Sequence, residues 1–124
     1  MFRSAQRSDS GLNEPSQPRE ATMTTTVHIE NTVRDYASWQ EAFDKFERFR
    51  ATHGVRSYRI CRRASNTNQV TIDLDFGSRE EAAAFVPKLQ QIWGTPQSQE
   101  HLVSHEVPEL LEQVRHRVLE ASLP

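Results

Sequence analysis

The stretch TIDLDF, residues 71–76, alternates strictly between polar and apolar side chains. Ile72, Leu74 and Phe76 fall on one side of an extended backbone, because successive side chains of a strand point to opposite faces of its sheet. The residues between them include two aspartates, which therefore share the other face. The stretch predicts a strand with one face in a hydrophobic core and one polar face.

Three further segments have the features of strands. TTTVHIENT (24–32) is rich in β-branched residues and alternates, and VRSYRICRR (55–63) alternates as well. A short polar turn joins this second segment to QVTIDLDF (69–76), which predicts a hairpin. LVSHEV (102–107) predicts a shorter fourth strand.

Helix signals occupy the intervals between these strands. Asp35 can cap a helix that runs to residue 54 and carries one broad aromatic stripe. Ser78, with a glutamate three residues later, forms a capping box for a second helix that ends near Gly94. Pro108 suits the first turn of a last helix, predicted over residues 108–121.

The resulting order of elements is β-α-β-β-α-β with an added C-terminal helix. This is the α+β, ferredoxin-like arrangement: a four-stranded antiparallel sheet that carries two helices on one face. The patterned region predicts a single domain over residues 23–124, and Met23 could be the start of translation. Residues 1–22 are rich in Ser, Gln, Arg and Pro without an apolar period, so we expect them to be a disordered extension.

Composition excludes several classes of protein. The chain has 124 residues and a formal net charge of −2, so no strong positive field attracts nucleic acid or anionic membrane. A single cysteine rules out an internal disulfide and a multi-cysteine zinc site. No apolar run reaches the ~20 residues of a membrane span, and none has the form of a signal peptide. The default expectation is a cytoplasmic protein.

The face of the sheet opposite the helices, called the open face below, is predicted to be polar. In the hairpin, Arg59 lies opposite Asp73 or Asp75, and such opposite charges stabilise a strand pair. The first strand adds His28 and Glu30 to this face. We expect these five residues to form salt bridges in a dimer interface rather than a metal site, because the first three strands carry no second histidine for a two-histidine iron centre. His105 on the fourth strand could supply that histidine only if it shares this face.

Two longer segments carry a resemblance to a known superfamily. They are VHIENTVRDYASWQEAFDKFERFRATHGVRSYRI (27–60) and VTIDLDFGSREEAAAFVPKL (70–89). In order of elements and in length, residues 24–107 resemble the dimeric α/β-barrel superfamily, which includes small actinobacterial cyclase-like proteins and antibiotic biosynthesis monooxygenase-like proteins.

The resemblance implies a homodimer in which two open faces pack together. The monooxygenases of this superfamily act on aromatic polyketides without metal or flavin, so it also implies no cofactor. It does not transfer a set of catalytic residues, because no catalytic motif is matched.

A ligand site is expected between the helices and the sheet. Pro87 should kink the second helix and open a gap there. Aromatic residues that could surround a flat hydrophobic ligand in this gap are Tyr36, Trp39, Tyr58, Phe85 and Trp93. The same aromatics could instead simply fill a core, since they recur at helical spacing.

Two classes of function therefore remain open. The chain could be a monooxygenase-like or cyclase-like enzyme that acts on an aromatic small molecule. It could also be a non-catalytic ligand-binding or structural dimerisation module. RNA binding ranks last, because acidic residues rather than exposed aromatics occupy the open face.

Overall fold

A computed structural model of the chain describes residues 24–121. The strands are β1 (Thr25–Val33), β2 (Val55–Arg63), β3 (Asn66–Phe76), β4 (Leu102–His105) and β5 (Glu109–Glu112). The helices are α1 (Tyr36–Asp44), α2 (Glu47–Thr52), α3 (Arg79–Trp93) and α4 (Pro96–His101). The predicted extension over residues 1–22 and the predicted start at Met23 lie outside the described residues.

The strands form one antiparallel sheet in the order β2-β3-β1-β4, with β5 also paired to β1. Because β3 occupies one edge of β1 from Thr25 to Thr32, β4 and β5 must follow each other along the opposite edge. The predicted ferredoxin-like fold is confirmed by this order and by the helices that cover one face of the sheet. Within residues 24–121, no helix is both long enough and apolar enough to cross a membrane.

The hydrophobic core lies between that face and the helices. The strands pair so that residues predicted to share a face do so: Ile29 lies opposite Ile72 and Val27 opposite Leu74. Burial of these side chains stabilises the fold by roughly 25 cal/mol per Å² of apolar surface. The fully or nearly buried apolar residues are Val27, Ile29, Val33, Trp39, Val55, Val70, Ile72, Leu74, Phe76, Ala82, Phe85, Trp93 and Leu102.

The predicted C-terminal helix over residues 108–121 is wrong. Residues 109–112 form β5 instead, and the rest of the segment to residue 121 has no regular structure. The free edge of β1 offers backbone partners: the Gln113 N–H donates to the Thr24 carbonyl at 2.9 Å, and the Glu106 N–H donates to the Glu30 carbonyl at 2.9 Å. The helical alternative would have had to bury Val114 and Val118, which are 85% and 78% exposed here.

The first predicted helix is divided in two. Asp35 caps α1 by accepting a hydrogen bond from the Ser38 N–H at 2.9 Å, as predicted, but the helix stops at Asp44. A new helix, α2, begins at Glu47 and ends before Gly54, whose φ of 102° is the left-handed conformation that glycine adopts most readily. The single predicted helix is therefore two helices, separated by Lys45 and Phe46.

The second predicted helix has the expected start. Ser78 accepts a hydrogen bond from the Glu81 N–H at 3.1 Å. Helix α3 then continues across Pro87 as a single helix to Trp93. A further short helix that was not predicted, α4, follows Thr95 and leads directly into β4.

Candidate functional site

A cavity of about 220 Å³ lies between the helices and the sheet, called the aromatic cavity below. Its floor comes from the buried faces of β1 and β3, and its sides come from all four helices. Most of the wall is apolar, as is usual for small-molecule sites. The principal wall residues are Ile29, Asn31, Trp39, Phe43, Phe46, Phe49, Arg50, Ile72, Leu74, Phe85, Leu89, Trp93 and His101.

The five aromatic residues proposed from the sequence divide into two groups. Trp39, Phe85 and Trp93 lie in the cavity wall. Among the described residues, Tyr36 and Tyr58 lie outside that wall. The structure thus brings three of the five together around one space.

The two tyrosines pack against aromatic residues of the cavity wall. The Tyr36 ring packs against Trp39 with a centroid distance of 5.8 Å. The Tyr58 ring meets Phe43 edge-on at 5.4 Å, and its hydroxyl donates to Glu47 Oε1 at 2.8 Å. The hydrogen bond to Glu47 raises the pKa of Tyr58. Hydrogen bonds from the Tyr58 hydroxyl and, second, from Arg50 lower the pKa of Glu47.

The cavity reaches the surface where the helical layer is interrupted. Lys45, in the break between α1 and α2, is exposed and lies in the wall, as does Glu100 of α4. Pro87 is not among the described wall residues. The break between α1 and α2 and helix α4 contribute exposed residues to the wall, and the predicted kink at Pro87 stays a prediction.

Asn31 is a buried polar residue in the cavity wall that sequence reasoning missed. Its side chain is on the core face of β1, between Ile29 and Val33, and the residue is 6% exposed. Its Oδ1 has no hydrogen-bond donor among the described residues. A buried amide without a partner is unfavourable, so Asn31 is a position where a ligand hydroxyl could supply the missing donor. One polar residue in an otherwise apolar alternating row was the available signal.

Arg50 is the second buried polar residue in the wall. It is 6% exposed, and its guanidinium lies 3.5 Å from the centroid of the Phe43 ring. Its Nη2 donates to the Phe43 carbonyl at 2.8 Å and to Glu47 at 3.2 Å. Arg50 interrupts the aromatic stripe of the first predicted helix one residue after Phe49, and this interruption was the signal for a buried cation.

On the open face, Asp75 is the centre of a hydrogen-bond network. It accepts from the hydroxyls of Thr26 at 2.7 Å and Ser57 at 2.9 Å, and from Arg59 Nη1 at 2.8 Å. Burial would by itself raise the pKa of Asp75, but the hydrogen bonds from Arg59, Thr26 and Ser57 hold the pKa below its ordinary value. Although Arg59 lies opposite Asp73 in the register, its closer ion pair is with Asp75, and Asp73 is 3.9 Å away.

His28 lies between two carboxylates on the same face. Its Nδ1 is 2.6 Å from Asp73 Oδ1, and its Nε2 is 3.0 Å from Glu30 Oε2. Both ring nitrogens can donate only in the imidazolium form. The hydrogen bond to Glu30, and then that to Asp73, accordingly raise the pKa of His28. All five residues predicted for the polar network are thus linked within a single chain, in the order Glu30, His28, Asp73, Arg59 and Asp75.

This arrangement predicts a pH dependence of stability. Because the folded-state pKa of His28 is raised above 6.5, its ion pairs contribute fully below pH 6.5, and this contribution is lost as pH rises through the folded-state pKa. We expect wild type to exceed a His28→Gln variant by about 0.2–1 kcal/mol in unfolding free energy at pH 6, with a smaller difference at pH 9. Urea unfolding at both pH values measures the difference, and a gap that widens with pH would contradict the assignment.

Known proteins resemble this chain in fold but not in sequence. No protein-family model matches it, and no curated protein matches it. Among solved structures, a variant of SnoaB, a cofactor-independent oxygenase from Streptomyces nogalater, is similar with a TM-score of 0.58 and 13% identity, covering 80% of this chain and 99% of its own.

Two other solved structures give the same result. A Bordetella bronchiseptica protein named as a candidate antibiotic biosynthesis monooxygenase has a TM-score of 0.57 and 12% identity, covering 78% of this chain and 99% of its own. A dimeric ferredoxin-like protein from an uncultured marine organism has a TM-score of 0.56 and 11% identity, covering 77% and 99%. The resemblance to dimeric ferredoxin-like and antibiotic biosynthesis monooxygenase-like proteins is therefore confirmed at the level of the fold.

Proposed function

We propose that this protein is a homodimer that binds a flat, largely hydrophobic aromatic molecule in the aromatic cavity and oxidises it as a cofactor-independent, monooxygenase-like enzyme. The observation that carries the proposal is the cavity itself, with Trp39, Phe85 and Trp93 in its wall. Aromatic walls favour a flat ligand, because stacked and edge-to-face contacts add to the burial of apolar surface.

Asn31 supports a ligand that has a hydroxyl group. Its unpartnered carbonyl oxygen lies in a wall that is otherwise mainly apolar, and a hydroxyl donor would remove the unfavourable burial. A few polar groups in an apolar site usually fix the orientation of a ligand. An aromatic molecule with a ring hydroxyl fits both features.

Oxidation without a cofactor requires that the substrate supply the electrons. Conversion of an aromatic-flanked CH₂ to C=O uses one O₂, of which one oxygen enters the product and the other leaves as water. The protein's part is to hold the substrate, exclude water and accept a proton as the substrate becomes an electron-rich anion. His101, half-buried in the cavity wall, is the residue we propose as the proton acceptor.

The open face supports a dimer closed through that face. Its network of charged residues is only partly covered in one chain: the side chains of His28 and Asp73 are 23% and 22% exposed, and that of Arg59 is 53% exposed. Leu111, opposite Thr26 in the register, adds an exposed apolar side chain to the same face. Light scattering of the full chain should give twice the mass of 14.3 kDa, and a monomer mass at micromolar concentration would refute the dimer.

Ligand binding is tested by blocking the cavity. Ala42 lies in the cavity wall. We expect Ala42→Phe to weaken the binding of a hydroxylated polyaromatic compound by about tenfold or more, because the new ring occupies space that the ligand needs. Quenching of Trp39 and Trp93 fluorescence measures the affinity. Ala37→Phe, on the exposed side of α1, is the matched control and should bind as wild type does.

Catalysis is tested separately by oxygen uptake. A bound hydroxylated anthrone should consume O₂ faster with the protein than without it, and the increase should be lost in Ala42→Phe but kept in Ala37→Phe. Binding without any increase in oxygen uptake would reject the enzyme and leave a ligand-binding module. The absence of quenching by every compound in a polyaromatic panel would reject the ligand site as well.

A further inference from the structure

The buried cation in the aromatic cavity has an incomplete set of partners. The side chain of Arg50 is 7% exposed, whereas its carboxylate partner Glu47 is 63% exposed. Water screens an exposed carboxylate strongly, so this ion pair offsets only part of the cost of burying the guanidinium. Glu47 also accepts a hydrogen bond from Tyr58, which divides its acceptor capacity further.

Arg50 also lacks hydrogen-bond acceptors for some of its N–H groups. A guanidinium has five N–H donors. Nη2 donates to the Phe43 carbonyl and to Glu47, whereas Nε is buried and has no acceptor among the described residues. Pairs of arginine with a carboxylate or phosphate are frequently two-pronged, and Arg50 forms no two-pronged contact of this kind within residues 24–121.

We infer that the ligand of the aromatic cavity is bound as an anion, and that its carboxylate, phenolate or enolate oxygen accepts hydrogen bonds from Arg50. This inference rests on the proposed function, because it names the class of ligand for the same cavity. An anionic oxygen would supply the acceptor and the charge that Arg50 lacks. The flat remainder of the ligand would extend along the wall beside Phe43, on which the guanidinium already stacks.

Because Arg50 is buried, we expect it to determine which ligand binds, rather than only to attract anions to the surface of the protein. Lys45 is also a wall cation, but it is exposed at the opening and is free to interact with water. Arg50 is buried, so a charged ligand oxygen that reached it would be desolvated, and a hydrogen bond to it would be strong. Together with Asn31, it selects an aromatic anion that also carries a hydroxyl donor.

A matched pair of probes tests the inference without altering the protein. 2-Naphthoate is ionised at pH 7, and 2-naphthamide has nearly the same shape but no charge. We expect 2-naphthoate to bind at least about tenfold more tightly, as measured by tryptophan quenching, because hydrogen bonds to charged groups are the stronger kind. A dinitronaphthol that is ionised at pH 7 distinguishes a carboxylate oxygen from a phenolate-type oxygen. Tighter binding of this compound than of 2-naphthoate indicates that the natural ligand binds through a phenolate-type oxygen.

Variants of two arginines on α2 complete the test. Arg50→Met should abolish the preference for 2-naphthoate while the affinity for 2-naphthamide stays within about twofold of wild type. Arg48→Met, on the exposed side of the same helix, should keep the full preference. An equal loss of both affinities in Arg50→Met would make Arg50 a structural residue and overturn the inference.

The outcomes separate the inference from the proposed function. If both probes bind wild type with equal affinity, the ligand-binding cavity stands and the anionic ligand is rejected. If neither probe binds, the proposed function fails and the inference fails with it. If Arg50→Met does not fold, the affinities of wild type for 2-naphthoate and 2-naphthamide still show whether the cavity prefers an anion.

Discussion

Replacing Phe76 with alanine is expected to lower the free energy of unfolding by about 3–5 kcal/mol. Phe76 is fully buried, and its ring packs against Phe85 with a centroid distance of 5.4 Å. Its removal would leave a void between the sheet and α3 that the surrounding strands cannot fill, because β1 and β2 pair with β3 on both sides of this residue. Urea unfolding monitored by circular dichroism gives the difference.

Phe46 provides the matched control for this prediction. It is another phenylalanine on the side of the sheet that the helices cover, but it is only half-buried and lies in the break between the first two helices. Phe46→Ala should lower the free energy of unfolding by less than half as much as Phe76→Ala, because less apolar surface is lost from the core. A loss below about 1 kcal/mol for Phe76→Ala would show that the core is packed differently from the arrangement described above.

The second large effect is expected at Asp75. Asp75→Ala would leave the buried Thr26 hydroxyl and the hydroxyl of Ser57 without their acceptor and would break the ion pair to Arg59. We expect the free energy of unfolding at pH 7 to fall by about 2–3 kcal/mol, the usual effect of leaving buried donors unsatisfied. Asp73→Ala is the control and should cost no more than about 1 kcal/mol, because Arg59 depends mainly on Asp75.

The effect at Asp75 should depend on pH. Because its folded-state pKa lies below the ordinary value, the contribution of Asp75 is fully present above about pH 4 and is lost as pH falls through the folded-state pKa. The difference between wild type and Asp75→Ala should therefore narrow in strong acid. An equal loss for Asp73→Ala and Asp75→Ala at pH 7 would contradict the central position of Asp75 in the network.

The sheet could be predicted from the sequence because its signals are local. TIDLDF and the first strand alternate strictly, and the caps at Asp35 and Ser78 form as their residue types suggest. Cross-strand pairing then follows from keeping the apolar residues on one face. This is why the polar residues of the open face were found without the structure, including the contact of Arg59 with an aspartate.

The C-terminal segment could not be predicted because its structure depends on a distant partner. Leu110, Leu111, Val114 and Val118 recur at spacings that suit a helix. In the structure, Leu110 and Leu111 are on opposite faces of β5, opposite Val27 and Thr26. The free edge of β1 decides this outcome, and tertiary pairing of that kind overrides local preference.

The cavity was harder to place than the fold for a related reason. Its wall includes Lys45 and Phe46 from the break in the first helix between Asp44 and Glu47, which no proline or glycine marks. Its buried polar wall residues, Asn31 and Arg50, were visible only as exceptions to apolar rows. An exception of this kind indicates a site only after the structure shows that the residue is buried and lacks a partner.

The outer edge of β2 has a consequence for aggregation. In the described sheet β2 pairs with β3 alone, so its other edge could template a strand from a second molecule. The strand carries four arginines in nine residues: Arg56, Arg59, Arg62 and Arg63. In an antiparallel two-fold pairing centred on Arg59, that residue would meet its own copy and Arg56 would meet Arg62. Like charges placed directly opposite each other destabilise a strand pair, so the arginines disfavour this pairing of two β2 edges.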